Sequence, residues 1–169
     1  MVSLTRPRLA DKPTAEVDTW IDAAPRTVWS LVSDIELMPK LSDELYAVEW
    51  LDPATGPEVG AAFRGYNRHG GAHWSTVSYI VGYQSNCVFA WAVGDLDNPG
   101  AIWRFRLNPD GGGTLLSQGV QIGTSLSGVS MAVQQRPDRE RAIVASRLRE
   151  FQHAMARNLA AIKAIAETH

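Results

Sequence analysis

The chain has little of what usually betrays a chemistry. Among its 169 residues there is one cysteine, Cys87, which excludes an internal disulfide and any zinc site built on several thiolates. A lone thiol also suits a reducing compartment. No apolar run approaches the roughly 18 residues needed to cross a bilayer. The opening stretch MVSLTRPRLADKPTAE lacks the apolar centre of a secretory signal. Residues 1–14 therefore read as a flexible leader, residues 15–169 as a single domain, and the expected location is cytoplasmic. A net charge of −2 supplies no field that would gather nucleic acid or hold an anionic membrane. Scattered histidines (His69, His73, His153, His169) and one cysteine do not make a set of metal ligands. The triplet Gly111–Gly113 lacks the Lys-Ser/Thr of a phosphate loop, and no serine sits on a nucleophile elbow. Neither a metal nor a cofactor is expected, and no catalytic residue is assigned.

What is present in excess is tryptophan, at positions 20, 29, 50, 74, 91 and 103. Each brings a flat apolar body and an N–H that wants a partner when buried. Spread along the chain, they suggest aromatic walls around something. The alternation of AEVDTWID (Ala15–Asp22) reads as a strand. Pro25 then suits a first helical position, and Val28, Trp29, Leu31, Val32 and Ile35 form a helical apolar face. A second short helix or turn contains Pro39. Six further strands are expected near 46–51, 59–69, 73–82, 87–93, 101–107 and 114–123, separated by Gly-, Pro- and Asn-rich turns. Residues 124–136 read as a loop.

From Pro137 to about Glu167 a long helix is expected, with Val144, Leu148, Phe151, Met155, Leu159 and Ile162 as a single apolar stripe. Arg139, Arg141, Arg147, Arg149 and Arg157 lie off it, on what reads as a solvated face. A long helix with one stripe has only the sheet to pack on. The fold class is thus α+β: a curved antiparallel sheet of about seven strands gripping a C-terminal helix, with two short helices after the first strand. A curved sheet and a straight helix part company somewhere, and the gap becomes a pocket.

The segment FRGYNRHGGAHWSTVS (Phe63–Ser78) gives that pocket a character. The turn at Gly70-Gly71 places Phe63, Gly65 and Asn67 on one face of a strand and Trp74, Thr76 and Ser78 on the matching face of the next. Alternation adds Phe89, Trp91, Trp103, Phe105, Leu116 and Gln118, and sends Arg64, Tyr66, Arg68, Ser75, Arg104 and Arg106 outward. Aromatic walls with a few neutral polar groups have the composition of a ligand site. The alternative is a filled core in which Asn67, Thr76, Ser78 and Gln118 bond to one another. Leu148 and Met155 would face the same space from the helix. Leu37, Met38 and Leu41 would form a gate, with loops at 95–99 and 124–135 as the opposing lip. Asp34, Glu36, Asp43 and Glu44 gather near that mouth and read as capping or solvated groups.

These elements resemble the START-related, polyketide cyclase-like (SRPBCC) superfamily and its helix-grip fold over residues 15–167. The resemblance rests on APRTVWSLVSDIELMPKL after the first strand, then Gly60, Phe63, Gly65, Asn67, Trp74, Thr76, Phe89, Trp91, the WRF of Trp103–Phe105 and the GGT of Gly112–Thr114. It implies a cavity between sheet and helix for a hydrophobic small molecule, such as a lipid or polyketide. Two departures concern catalysis. Aromatase/cyclase relatives typically carry an arginine soon after the strand matching WSTVS, where this chain has Tyr79 and Ile80. Relatives often carry Glu at the position of Gln118. The expected function is binding of such a ligand. One alternative is a polyketide cyclase or dehydratase in the same cavity, with Asn67, Tyr79 or Gln118 polarising a carbonyl. Another is a protein-interaction module with a vestigial cavity. The sequence leaves the oligomeric state open, a homodimer included.

Overall fold

The computed structural model describes residues 6–168. A single seven-stranded antiparallel sheet is ordered β1 (Thr14–Ile21), β7 (Gly113–Ile122), β6 (Ala101–Asp110), β5 (Val88–Val93), β4 (Ala72–Gln84), β3 (Ala62–His69) and β2 (Leu45–Trp50). Helices α1 (Pro25–Val32) and α2 (Met38–Leu41) link β1 to β2. Helices α3 (Gly128–Gln135) and α4 (Glu140–Ala166) follow β7, with a 3₁₀ turn over Pro137–Arg139 between them. The expected fold class is the one observed.

Two tight turns set the register. Gly70-Gly71 and Gly111-Gly112 each have two successive positive φ values, 56° and 83° in the first and 56° and 86° in the second. Such turns match the strand twist and favour glycine at both places. They pair His69 with Ala72 and Asp110 with Gly113, and every side chain along β3–β4 and β6–β7 takes its face from there. Bulges shift the register between Leu45 and Ala47 on β2 and between Ile80 and Gly82 on β4. The first lets Leu45 share the inner face with Asn67 while Tyr46 lies outside beside Tyr66, with the rings tilted.

The main core joins α1, the middle of the sheet and the C-terminal part of α4: Val28, Trp29, Val32 and Ile35 meet Phe89, Phe105, Leu116, Leu159 and Ile162. Smaller clusters form where Met155 meets Ala15 and Val120, and where Val144 meets Ile122 and Leu9. Helix α4 is tied at both ends. Glu140 accepts from the Leu9 N–H at 3.1 Å, while Lys163 donates to the Trp20 carbonyl at 2.7 Å and Glu167 accepts from the Asp22 N–H at 2.9 Å.

Two expectations differ from this picture. The leader expected over 1–14 is packed from Leu9, which is buried and opens a 3₁₀ turn over Leu9–Asp11; residues 1–5 lie outside the described residues. The loop expected over 124–136 contains α3. Its start is marked by Ser127 and Ser130, each accepting from the other's backbone N–H, at 3.2 and 2.7 Å. Val129 and Val133 pack on Ile122 and Val144, so burial outweighs the poor helix propensity of Gly128 and the valines.

Candidate functional site

Between the inner face of β3–β7 and the middle of α4 lies a cavity of about 170 Å³. Four aromatic side chains from the sheet, with Phe151 from α4, form its apolar walls. Trp91 stacks on Trp103 with ring centroids 6.5 Å apart and planes 15° from parallel, while Phe63 and Phe105 stand 6.3 and 6.0 Å from Trp91. Asn67, Thr76, Ser78 and Gln118 also line it, with Met155, Asn158 and Ile162 from α4 and Met38 and Leu41 from α2. Asn158 Nδ2 donates to Gln118 Oε1 at a long 3.5 Å. Among the described residues the side chains of Asn67, Thr76 and Ser78 make no hydrogen bond to protein, and none of their polar atoms is a buried orphan: they open on the cavity. A core in which these four groups bond to one another is therefore not what the chain forms.

Of the residues expected at the pocket, the wall includes Phe63, Asn67, Thr76, Ser78, Trp91, Trp103, Phe105, Gln118 and Met155, and of the gate residues Met38 and Leu41. Four do not reach it. Trp74 pairs with Asn67 across the hairpin but lies toward its tip, 38% exposed. Phe89 is fully buried under Trp29 of α1 and beside Tyr83, with centroids 6.3 and 6.2 Å away. Leu148 packs with the clusters around Ile122 and Val120 at the start of α4. Leu37 precedes α2 and is not among the lining residues. The expected opposing lip is also elsewhere: Thr124 Oγ1 bonds Asn98 Oδ1 at 3.0 Å, so the two loops hold each other. Lining residues not assigned to the pocket from sequence are Ser42, Glu44 and Leu45 before and at the start of β2, Val93 at the end of β5, and Phe151, Ala154, Asn158 and Ile162 on α4; of these the sequence places Glu44 alone near the mouth. Phe151 was on the apolar stripe; its place at the cavity follows from stepping one helical turn from Met155.

A second hollow of about 240 Å³ adjoins the first from outside and shares Leu41, Ser42, Glu44, Phe151, Ala154 and Asn158 with it. Its walls are charged. Arg147 reaches Glu44 and Glu150 at 2.7 Å each, and its guanidinium lies 4.2 Å from the centre of the Phe151 ring. Phe151 in turn meets Trp103 edge-on at 5.0 Å. His69 stands 3.7 and 3.5 Å from Glu44 and Glu150, and Arg157 pairs with Asp43 at 2.9 Å. Burial disfavours the Arg147 charge, but the hydrogen bonds and proximity of Glu44 and then Glu150 outweigh it and hold the guanidinium more firmly protonated than usual. The reading of Arg147 as part of a solvated face is corrected here: its side chain is 19% exposed and clamps the segment before β2 to α4. Glu44 likewise is no mere solvated group. On the opposite face of the sheet, Arg104 and Arg106 are exposed and Tyr66 donates to Glu49 at 2.7 Å, which raises the phenol's pKa chiefly through that bond.

The sequence matches the family described as polyketide cyclase / dehydrase and lipid transport over residues 12–167, and the chain belongs to that family, within the SRPBCC superfamily. Among solved structures it is similar to a Polyketide_cyc-like protein of Corynebacterium glutamicum, at 27% identity over 91% of each chain and a TM-score of 0.66. The fold also matches the Zhui aromatase/cyclase of Streptomyces, at 16% identity, 92% of this chain, 93% of that one and a TM-score of 0.66. The di-domain aromatase/cyclase StfQ of the steffimycin pathway matches at 14% identity and a TM-score of 0.71, over 92% of this chain and 50% of that one. No curated protein matches in sequence. Among the described residues no helix is long and apolar enough to cross a membrane.

Proposed function

We propose that the chain binds an uncharged, largely aromatic or otherwise hydrophobic small molecule in the inner cavity. The observation that carries this reading is the pairing of aromatic walls with polar side chains left unpartnered. Polar groups that open on an apolar-walled cavity, with no protein partner, must be met there by water or by a polar group of a bound ligand. At about 170 Å³ the cavity is below the roughly 300–1,000 Å³ of drug-sized sites, so a larger ligand needs the outer hollow as well. Native mass spectrometry of freshly purified protein tests the reading. A retained small molecule, or a mass shift on adding 2-acetylnaphthalene with quenching of tryptophan fluorescence, is the expected result. A protein that keeps no ligand and responds to no hydrophobic aromatic compound refutes it.

A second reading, a cyclase or dehydratase, is favoured by one feature: the Glu44 carboxylate on the cavity wall, the only ionisable side chain in its lining among the described residues. A general base must be free to accept a proton. Arg147 holds this one in a 2.7 Å ion pair, which favours binding over turnover. Cyclisation of a synthetic poly-β-ketone that is abolished in Glu44→Gln would reverse that preference.

A further inference from the structure

The middle of β3 contains a glycine that its backbone does not require. Gly65 has no positive φ, unlike the turn glycines, and it pairs with Thr76 in regular register. A glycine inside a strand weakens it by roughly 0.5–1 kcal/mol relative to alanine. It commonly marks a place where something approaches the backbone closely. Here the group that approaches is the Leu45 side chain, and both residues form part of the cavity wall. A β-carbon built on Gly65 would stand 3.8 Å from Thr76 Oγ1, 4.0 Å from Asn67 Nδ2 and 3.0 Å from Leu45 Cδ1. Leu45 packs into the place of the missing side chain, and the shallow niche beside it has a hydroxyl and an amide on its rim, neither hydrogen-bonded to protein among the described residues.

Resting on the binding function proposed above, we infer that this niche is the subsite for a neutral oxygen of the ligand, a ketone or hydroxyl, and that Gly65 sets that specificity. The amide can present its NH₂ or its oxygen, and the threonine hydroxyl both donates and accepts, so either kind of oxygen is satisfied. A carboxylate is not: among the described residues no cationic side chain lines the inner cavity, and its one charged wall residue is Glu44. The aromatic body lies between this niche on β3–β4 and Gln118 on β7, three strand spacings from β4 and four from β3, or about 14–19 Å along the sheet. Trp91 and Trp103 lie between those two polar ends.

Four probes of one size test this: 2-acetylnaphthalene, 2-naphthol, 2-isopropenylnaphthalene and 2-naphthoate, titrated against tryptophan fluorescence and by calorimetry. The wild type is expected to bind at least one of the neutral oxygenated probes about fivefold or more tightly than the hydrocarbon isostere, as one hydrogen bond allows. Naphthoate should bind no better than the hydrocarbon. Preference for the ketone alone assigns the Asn67 NH₂ as donor, and preference for the naphthol alone assigns an acceptor; both support the niche. Gly65→Ala fills it and Thr76→Val removes the hydroxyl at nearly constant volume. Each should bring the oxygenated-to-hydrocarbon ratio close to one, while Thr76→Val keeps hydrocarbon affinity. If Gly65→Ala does not fold against Leu45, the isosteric Thr76→Val decides alone. Equal binding of all four probes by the wild type, or a ratio unchanged in the variants, overturns the niche and leaves the cavity reading standing. Failure of every probe to bind overturns both.

Discussion

Replacing Arg147 by methionine keeps most of the apolar stem and removes the charge that joins α4 to the segment before β2. Exposed ion pairs contribute only about 0–1 kcal/mol, whereas removing one partner of a buried pair costs about 3–5 kcal/mol. Arg147 lies between these limits, with its side chain 19% and that of Glu44 28% exposed. The contact of the guanidinium with the Phe151 ring adds about 0.5–1 kcal/mol. Arg147→Met should therefore cost about 2 kcal/mol, read as a lower urea midpoint at unchanged denaturant slope. Glu44→Gln should cost less, because Arg147 keeps Glu150 as a partner. The double variant should reveal a coupling of about 1 kcal/mol between Arg147 and Glu44. Since Phe151 passes the contact on to Trp103 at the cavity wall, the same variant should admit 2-acetylnaphthalene faster. A midpoint equal to that of the wild type, or a coupling indistinguishable from zero, would refute the view that this pair closes the site.

Other outcomes follow from the same contacts. Trp91→Ala, which would cost about 3–5 kcal/mol in a filled core, should cost less here because the indole already borders open space, and it should abolish binding of 2-acetylnaphthalene; severe unfolding without a binding defect would count against the cavity. Amide hydrogen exchange should be fast over Glu36–Ser42, where α2 buries no residue, and slow from Leu148 to Ile162, with 2-acetylnaphthalene slowing the first segment; equal protection would exclude a gate. Glu167 accepts hydrogen bonds from Lys163 and then from the Asp22 N–H, which hold its carboxyl below the usual range. That contribution is fully present above the unfolded-state value near 4.3 and disappears as pH falls through the lower folded value. The melting-temperature difference between wild type and Glu167→Gln should accordingly be present at pH 7 and vanish in strong acid; a gap that widens in acid would contradict the contact.

The inner face was legible because turn chemistry and alternation act over a few residues. Once Gly70-Gly71 and Gly111-Gly112 fix two hairpins, Phe63, Asn67, Thr76, Trp103 and Gln118 follow by counting in twos. Alternation gives a face but not what covers it. Phe89 and Trp91 share the inner face of one strand, yet α1 lays Trp29 on the first and leaves the second open. Trp74 has the parity of Thr76 but lies nearer the hairpin tip, outside the cavity lining. The charged cluster was illegible for a different reason. Glu44 and Arg147 are 103 residues apart, and no local pattern reports a pair assembled only by the fold. Arg147 sits off the apolar stripe, as a solvated residue would, and only the return of the chain before β2 gives it two carboxylates. The serine pair that starts α3 lacks the Glu or Gln of the usual capping box, so that helix carried no recognisable signal.

These anchors also decide how the cavity can grow. Helix α4 cannot swing away as a unit without breaking the Glu140 contact to Leu9 at one end and the Lys163 and Glu167 contacts to β1 at the other, with Val144, Met155 and Leu159 fully or almost fully buried along its length. The sheet side is fixed by two glycine turns and by the stacked aromatics. What remains is the segment 36–45, which presents Met38, Leu41 and Leu45 to the cavity, has no buried residue in its four-residue helix, and is fastened to α4 through Glu44 and Asp43. Its fastening is ionic and its lining mostly apolar, with Ser42 and Glu44 the polar members. Outward movement would exchange ion pairs for hydration, which costs little in water, and would join the inner cavity to the outer hollow. A ligand too large for about 170 Å³ would then be housed by displacing charges, with the aromatic walls left in place.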